Sequence, residues 1–294
     1  MWFIFALAIS IINSCYAICN QNSKLKPQLF IIYRGFLTGI AVLPTFIFFH
    51  ADFEWPFYVI VLLQGLAISY MDFKYFRAFH LFGAEMICSV RPLTVIITFC
   101  LWIIITPSLL VQYINTPDRT LVIIASIATI VYSVIKYREQ PIGLNCLAHV
   151  FPLLFISSFV DISNKVILYF VNGHILEAAL YRIFFIGMII GGINLALTQK
   201  RQIKIKEIYK FSNIKKGLFI LLLPLSMILV NFSLYYAENP AYTSAIIYLS
   251  VVWILLINKI KFKLGFSTKK YKRIALKWIF LLLAAAITLL LATK

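Results

Sequence analysis

Apolar stretches of roughly 20 residues, the length that carries a helix across a bilayer, recur along the whole chain between short polar connections. Their apolar residues run on and do not alternate. That pattern excludes a spanning β-barrel and leaves helices, since only these two structures satisfy their own backbone in lipid. Ten spans are predicted, over 2–19, 29–49, 56–73, 79–105, 118–135, 144–169, 174–198, 217–236, 240–258 and 274–292. Asp72, Lys74 and Arg77 predict an aqueous turn between the third and fourth. No connection is long enough to form a soluble domain. The first span has no basic residue before its apolar run and no small-residue cleavage site, so it reads as a helix and not as a leader peptide.

The spans form two runs of five that resemble each other. Tyr33-Arg34-Gly35-Phe36-Leu37-Thr38-Gly39 matches Tyr181-Arg182-Ile183-Phe184-Phe185-Ile186-Gly187 at Tyr, Arg, Phe and Gly. The shift of 148 residues also carries Ser10 onto Ser158 and Asn13 onto Asp161. A shift of 159 carries Asp72 onto Asn231, Phe73 onto Phe232 and Ala78 onto Ala237. The eleven extra residues fall in the basic connection Gln199–Gly217. A repeat with an odd number of spans enters the membrane upside down the second time. The expected fold is therefore an all-α integral membrane protein of ten helices. Its inverted repeats cover 1–140 and 141–294, with a solute path between them near the midplane.

Composition agrees: 62% of the 294 residues are hydrophobic, 13% are charged, and the mean hydropathy is +0.94. A soluble domain is about a quarter charged. The net charge of +17 is sorted by connection. Gln199–Gly217 and Asn258–Arg273 each hold seven basic residues, and Lys24, Lys26, Lys74, Arg77, Lys136 and Arg138 add to the odd-numbered connections. The even-numbered ones hold Asp52, Glu54, Asp118, Glu177 and Glu238, with Arg119 their one basic residue. Positive-inside bias and anionic headgroups explain this sorting, so no nucleic-acid partner is expected. With ten spans it places both termini outside the cytoplasm.

Polar residues within spans are the candidates for a solute path: Asn13, Arg34, Glu85, Arg91, Asp161, Lys165 and Arg182. The two matched arginines either snorkel to the headgroups or face the bundle. Glu85 and Arg91 are six residues apart and do not share a helix face. Arg91 precedes Pro92, which predicts a kink beside a charge. Asp161 and Lys165, at i and i+4, predict an ion pair on one face. Asn145, His149 and Asn164 make the same span the most polar. Gly35-x-x-x-Gly39 and Gly187-x-x-x-Gly191 predict close helix packing. Trp55, Tyr58, Tyr113, Tyr209, Tyr271 and Trp278 read as interfacial anchors. Tyr16, Tyr70, Trp102, Tyr132, Tyr235, Tyr236, Tyr242 and Tyr248 read as cavity candidates. Cys15 and Cys19 share a face without a histidine, so small apolar packing is expected and no metal site.

With these residues in place, the chain resembles the EamA-type members of the drug/metabolite transporter superfamily. The resemblance rests on Arg34 and Arg182, then on Gly65-Leu66-Ala67, Tyr75-Phe76-Arg77-Ala78 and Ser89-Val90-Arg91-Pro92 as third and fourth helices. It departs at Thr106-Pro107 and Lys259-Ile260, where the family often has a glutamate. It departs again at Ser250-Val251, opposite Arg91-Pro92. The resemblance implies ten helices in two repeats, secondary transport, and both termini in the cytoplasm; the loop charges argue for the other side. Members export amino acids and drugs, import metabolites such as S-adenosylmethionine, or exchange phosphorylated solutes.

No phosphate loop, His-Glu-x-x-His helix or nucleophile elbow is present, so neither an enzyme nor a cofactor is expected. The expected function is secondary transport of small metabolites, amino acids or related solutes, across the inner or plasma membrane, with a proton as a candidate coupling ion. Abundant Ile, Lys, Phe and Asn points to an AT-rich bacterial genome, where a host-dependent cell would favour uptake. The competing expectation is a membrane protein that transports nothing.

Overall fold

Prolines open several of the helices, because a first-turn residue needs no hydrogen-bonded N–H and proline presets the helical φ. The computed structural model describes residues 1–23, 25–50, 52–82, 90–137, 144–197, 208, 210–263 and 276–293. Among them every regular element is helical. The α-helices are α1 (Trp2–Ser23), α2 (Pro27–Val42), α3 (Trp55–Phe82), α4 (Leu93–Ile105), α5 (Pro107–Asn115), α6 (Pro117–Tyr137) and α7 (Leu144–Val166). They continue with α8 (Ile175–Ala196), α9 (Phe211–Gly217), α10 (Leu222–Tyr236), α11 (Pro240–Ile247), α12 (Ser250–Lys263) and α13 (Leu276–Ala292). Asn239 caps α11, its side-chain oxygen accepting from Ala241 N at 2.9 Å. Between α7 and α8 the chain reverses through Asn172 and Gly173, both at positive φ (46° and 88°). Asparagine and glycine are the residues that tolerate this region.

Among the described residues seven helical stretches are long and apolar enough to cross a membrane, from Trp2–Asn20 to Ser212–Tyr236. The pair α4 and α5 also passes that test but bends by 102° at Thr106. Pro240–Ile254 and Lys277–Ala292 are shorter apolar helices. Large apolar side chains such as Ile40, Ile47, Leu62, Leu63, Ile104, Leu121, Phe280 and Leu291 face outward. Water would not tolerate so much exposed apolar surface, and lipid does. The chain is a multi-pass membrane protein.

The interior is built by helix pairs. α2 packs along α8, α6 along α13, α1 along α10, and α3 along α7. α1 also contacts α11 and α12, and α7 contacts α4. The two small-residue seams meet each other. A Cβ added to Gly35 would lie 2.3 Å from Gly191 N, and one added to Gly187 would lie 2.7 Å from Gly35 O. The glycines thus bring α2 and α8 into backbone contact. Nearby, Gln64 Nε2 of α3 donates to Ser163 Oγ and Asn164 Oδ1 of α7, at 2.8 and 3.0 Å.

Several sequence expectations change. α3 runs unbroken to Phe82, so Asp72, Lys74 and Arg77 lie inside a helix and not in an aqueous turn. The charge of Asp72 marked a turn only because its partner, Arg34, is remote in sequence. At Arg91 and Pro92 a turn separates the helical residue Val90 from α4, of which Pro92 is the N-cap; residues 83–89 before it lie outside the described residues. The expected connection after residue 105 is largely the helix α5. The expected span 240–258 breaks between α11 and α12, at Tyr248 and Leu249. Tyr113 is no interfacial anchor. It is buried, with its hydroxyl against that of Tyr242. Trp102 and Tyr242 belong to the apolar core, where Trp102 Nε1 donates to Glu238 O at 3.0 Å.

Candidate functional site

Three charged side chains from three helices meet at one cavity. Arg34 of α2, Asp161 of α7 and Arg182 of α8 line a space of about 190 Å³. Asn164, Thr38, Thr243 and Ser244 add polar atoms, and most of the remaining wall is aliphatic. Such a wall raises the strength of every charge inside it. Both arginines thus face the bundle at this cavity. Arg182 is only 3% exposed.

The two arginines have related partners. Arg34 Nη1 donates to Asp72 Oδ1 and Oδ2, at 2.8 and 2.7 Å. Arg182 Nη1 donates to Asn231 Oδ1, at 2.8 Å. Asp72 and Asn231 are the residues that the shift of 159 superposes. The Asn231 amide group is held in turn, its Nδ2 donating to Met227 O at 2.8 Å. Asp161 Oδ2 accepts from Ser244 Oγ at 2.9 Å.

The expected Asp161–Lys165 pair does not form. Lys165 Nζ instead donates to Leu234 O at 2.6 Å and Tyr235 O at 3.3 Å, in the last turn of α10. A helix end leaves carbonyls unpaired, and a cation there is favourable. Lys165→Met is expected to lower the thermal midpoint of the detergent-solubilised protein by an amount corresponding to about 1 kcal/mol, the scale of a lost charge-assisted cap. An unchanged midpoint would show the cap to be idle.

Other candidates lie elsewhere. Asn13 is outside the cavity lining and accepts from Ser226 Oγ at 3.0 Å. Arg91 is exposed, with its guanidinium carbon 5.6 Å from the Tyr75 ring centre, and its carbonyl accepts from Tyr248 Oη. Glu85 lies outside the described residues, as do Lys24, Arg138 and much of the two long basic segments. His149 Nδ1 lies 3.0 Å from Asn145 O, on an exposed part of α7. None of the tyrosines and tryptophans singled out as cavity candidates lines the cavity. The sequence reading missed the roles of Asn231 and Ser244. The shift of 159 that aligns Asp72 with Asn231 was the signal in the sequence that could have found Asn231.

Among the described residues no group of three or more His, Cys, Asp or Glu side chains is placed to hold a metal. No protein-family model matches the chain, and no curated protein matches it. The fold and site define a class: a multi-pass, all-helical membrane protein with charged side chains enclosed in its apolar interior.

Proposed function

We propose that the protein is a secondary transporter that moves a small metabolite, an amino acid or related solute, across the inner or plasma membrane by alternating access. The observation that carries this reading is the convergence of Arg34, Asp161 and Arg182, from both halves of the chain, on one cavity. Charged side chains on spanning helices are expensive, and a solute path is a usual reason for them.

The ten-span, inverted-repeat architecture belongs to the same proposal. In this reading the seven long helices, the bent pair, α11 with α12, and α13 would each cross once, ten times in all. Exchange of the two halves converts the α1–α10 contact into α7–α3, and the contact of α1 with α11 and α12 into α7–α4. The α2–α8 and α6–α13 contacts convert into themselves. The Arg34–Asp72 and Arg182–Asn231 contacts exchange likewise. This pattern supports a pseudo-two-fold axis in the membrane plane, as inverted repeats require. It is also what the EamA resemblance leads one to expect. The basic connections favour both termini outside the cytoplasm.

Uphill movement would draw on an ion gradient or on solute exchange. The test is a screen of radiolabelled solutes in proteoliposomes, run with and without a proton gradient. Saturable uptake of one solute class above protein-free vesicles is expected, and accumulation that rises with the gradient assigns the proton as coupling ion. Uptake no greater than in empty vesicles for every class would remove the reading.

A further inference from the structure

The two matched arginines differ in what neutralises them. Arg34 has the carboxylate of Asp72, so that pair carries no net charge. Arg182 has the amide of Asn231, which accepts a hydrogen bond but offsets no charge. Arg182 is 3% exposed, and its Nε is buried with no hydrogen-bond partner among the described residues. A buried cation with only one dipole for a partner is costly in the empty site.

The second half has not lost its carboxylate; it has moved it. The shift of 148 carries Asn13 onto Asp161, so Asp and Asn have exchanged places between the halves. Asp161 lines the same cavity as Arg182, yet the two form no ion pair within 4 Å. Ser244 occupies one carboxylate oxygen of Asp161, and Oδ1 accepts from no described residue. Beside the neutral Arg34–Asp72 pair, the cavity therefore presents one cation and one anion, each with unused hydrogen-bonding capacity, from two different helices. Ile68, Val160, Ile186, Leu223, Val230 and Ile247 form an aliphatic wall around them.

We propose that Arg182 and Asp161 are the two ends of a binding site for a small zwitterion. Its carboxylate sits on Arg182, its ammonium on Asp161, and its aliphatic body lies against the isoleucine and leucine wall. The assignment rests on the transporter reading above for its use, though binding can be measured without transport. Electrostatics selects this class. A lone anion would satisfy Arg182 but face Asp161, and a lone cation would do the reverse. A zwitterion adds no net charge to the cavity and gives Arg182 and Asp161 each an opposite partner. In this view Arg34–Asp72 is the structural copy of the pair, and the Asp-to-Asn difference at 231 is what frees the second arginine for ligand.

Binding of radiolabelled leucine, valine and methionine to the purified full-length protein in detergent tests this, with leucine methyl ester and isocaproate as competitors. Leucine is expected to bind, and each competitor, lacking one charge, to bind about 10- to 100-fold more weakly. Asn231→Asp gives Arg182 the partner that Arg34 already has. It should weaken leucine binding by about 10-fold or more while leaving the thermal midpoint unchanged or higher. Asp161→Asn should shift preference from leucine towards isocaproate, a change that misfolding would not produce. The assignment is overturned if the methyl ester binds as tightly as leucine, if Asn231→Asp binds leucine like the wild type, or if none of these amino acids binds at millimolar concentration. Uptake of an organic anion or cation without zwitterion binding would remove this assignment and leave the transporter standing. Zwitterion binding without uptake of any solute would do the opposite.

Discussion

Gly35→Ala is expected to be the most damaging small substitution in the protein. The added methyl carbon would fall 2.3 Å from Gly191 N, 2.6 Å from Gly191 Cα and 2.7 Å from Gly187 O. These are backbone atoms of α8 and cannot swing aside as a side-chain tip can. α2 and α8 would have to separate along the seam, which also displaces Arg34 and Arg182 from the cavity they share. Overpacking a tight core typically costs about 1–3 kcal/mol, and a backbone-to-backbone clash lies at or beyond the upper end. Gly192→Ala is the matched control on the same helix, because a Cβ there meets nothing within 4 Å. Alanine is the better helix former by about 1 kcal/mol, so the control should hold or gain stability. Thermal unfolding followed by size-exclusion chromatography would read both variants. Equal midpoints for the two would mean that the helices do not approach as closely as described.

The second large effect is expected at Asp72. Asp72→Asn leaves the Arg34 guanidinium with a neutral partner while burying the same atoms. Removing one member of a buried ion pair costs about 3–5 kcal/mol. The Arg34 side chain is 31% exposed, against 10% for Asp72, so solvent screening reduces the expected loss to about 2–3 kcal/mol. The double variant Arg34→Gln with Asp72→Asn removes both charges and should recover most of the loss. A double-mutant cycle on thermal or denaturant midpoints measures the coupling directly. Additive effects would show the pair to be incidental. The native Arg182–Asn231 contact already resembles the Asp72→Asn state, so part of the deficit is tolerated in the other half.

The membrane class and most of the helices are legible in the chain because lipid imposes a simple rule. Apolar runs of spanning length must be helical there, whatever they pack against. The matched arginines and the glycine pairs are legible for a related reason: an expensive residue repeated at a fixed shift is visible without any structure. What misled the reading was local charge. Asp72, Lys74 and Arg77 suggest an exposed turn when seen beside their sequence neighbours. Asp72 is instead neutralised by a side chain from another helix. Asp161 and Lys165 look like a helical pair at the favoured spacing. Lys165 finds better acceptors in the unpaired carbonyls at the end of α10, and Asp161 turns to Ser244 on α11.

The sequence alone determines that this is a helical membrane protein, from its recurring apolar runs of spanning length. It also shows that a shift of 148 aligns Arg34 with Arg182 and a shift of 159 aligns Asp72 with Asn231. Only the tertiary structure decides that the two glycine seams close on each other, that three charges share one cavity, and that Arg182 lacks the carboxylate Arg34 has. The physical reason is range. Span length and repetition are properties of consecutive residues, whereas neutralising a buried charge depends on which helix is brought within about 3 Å of it.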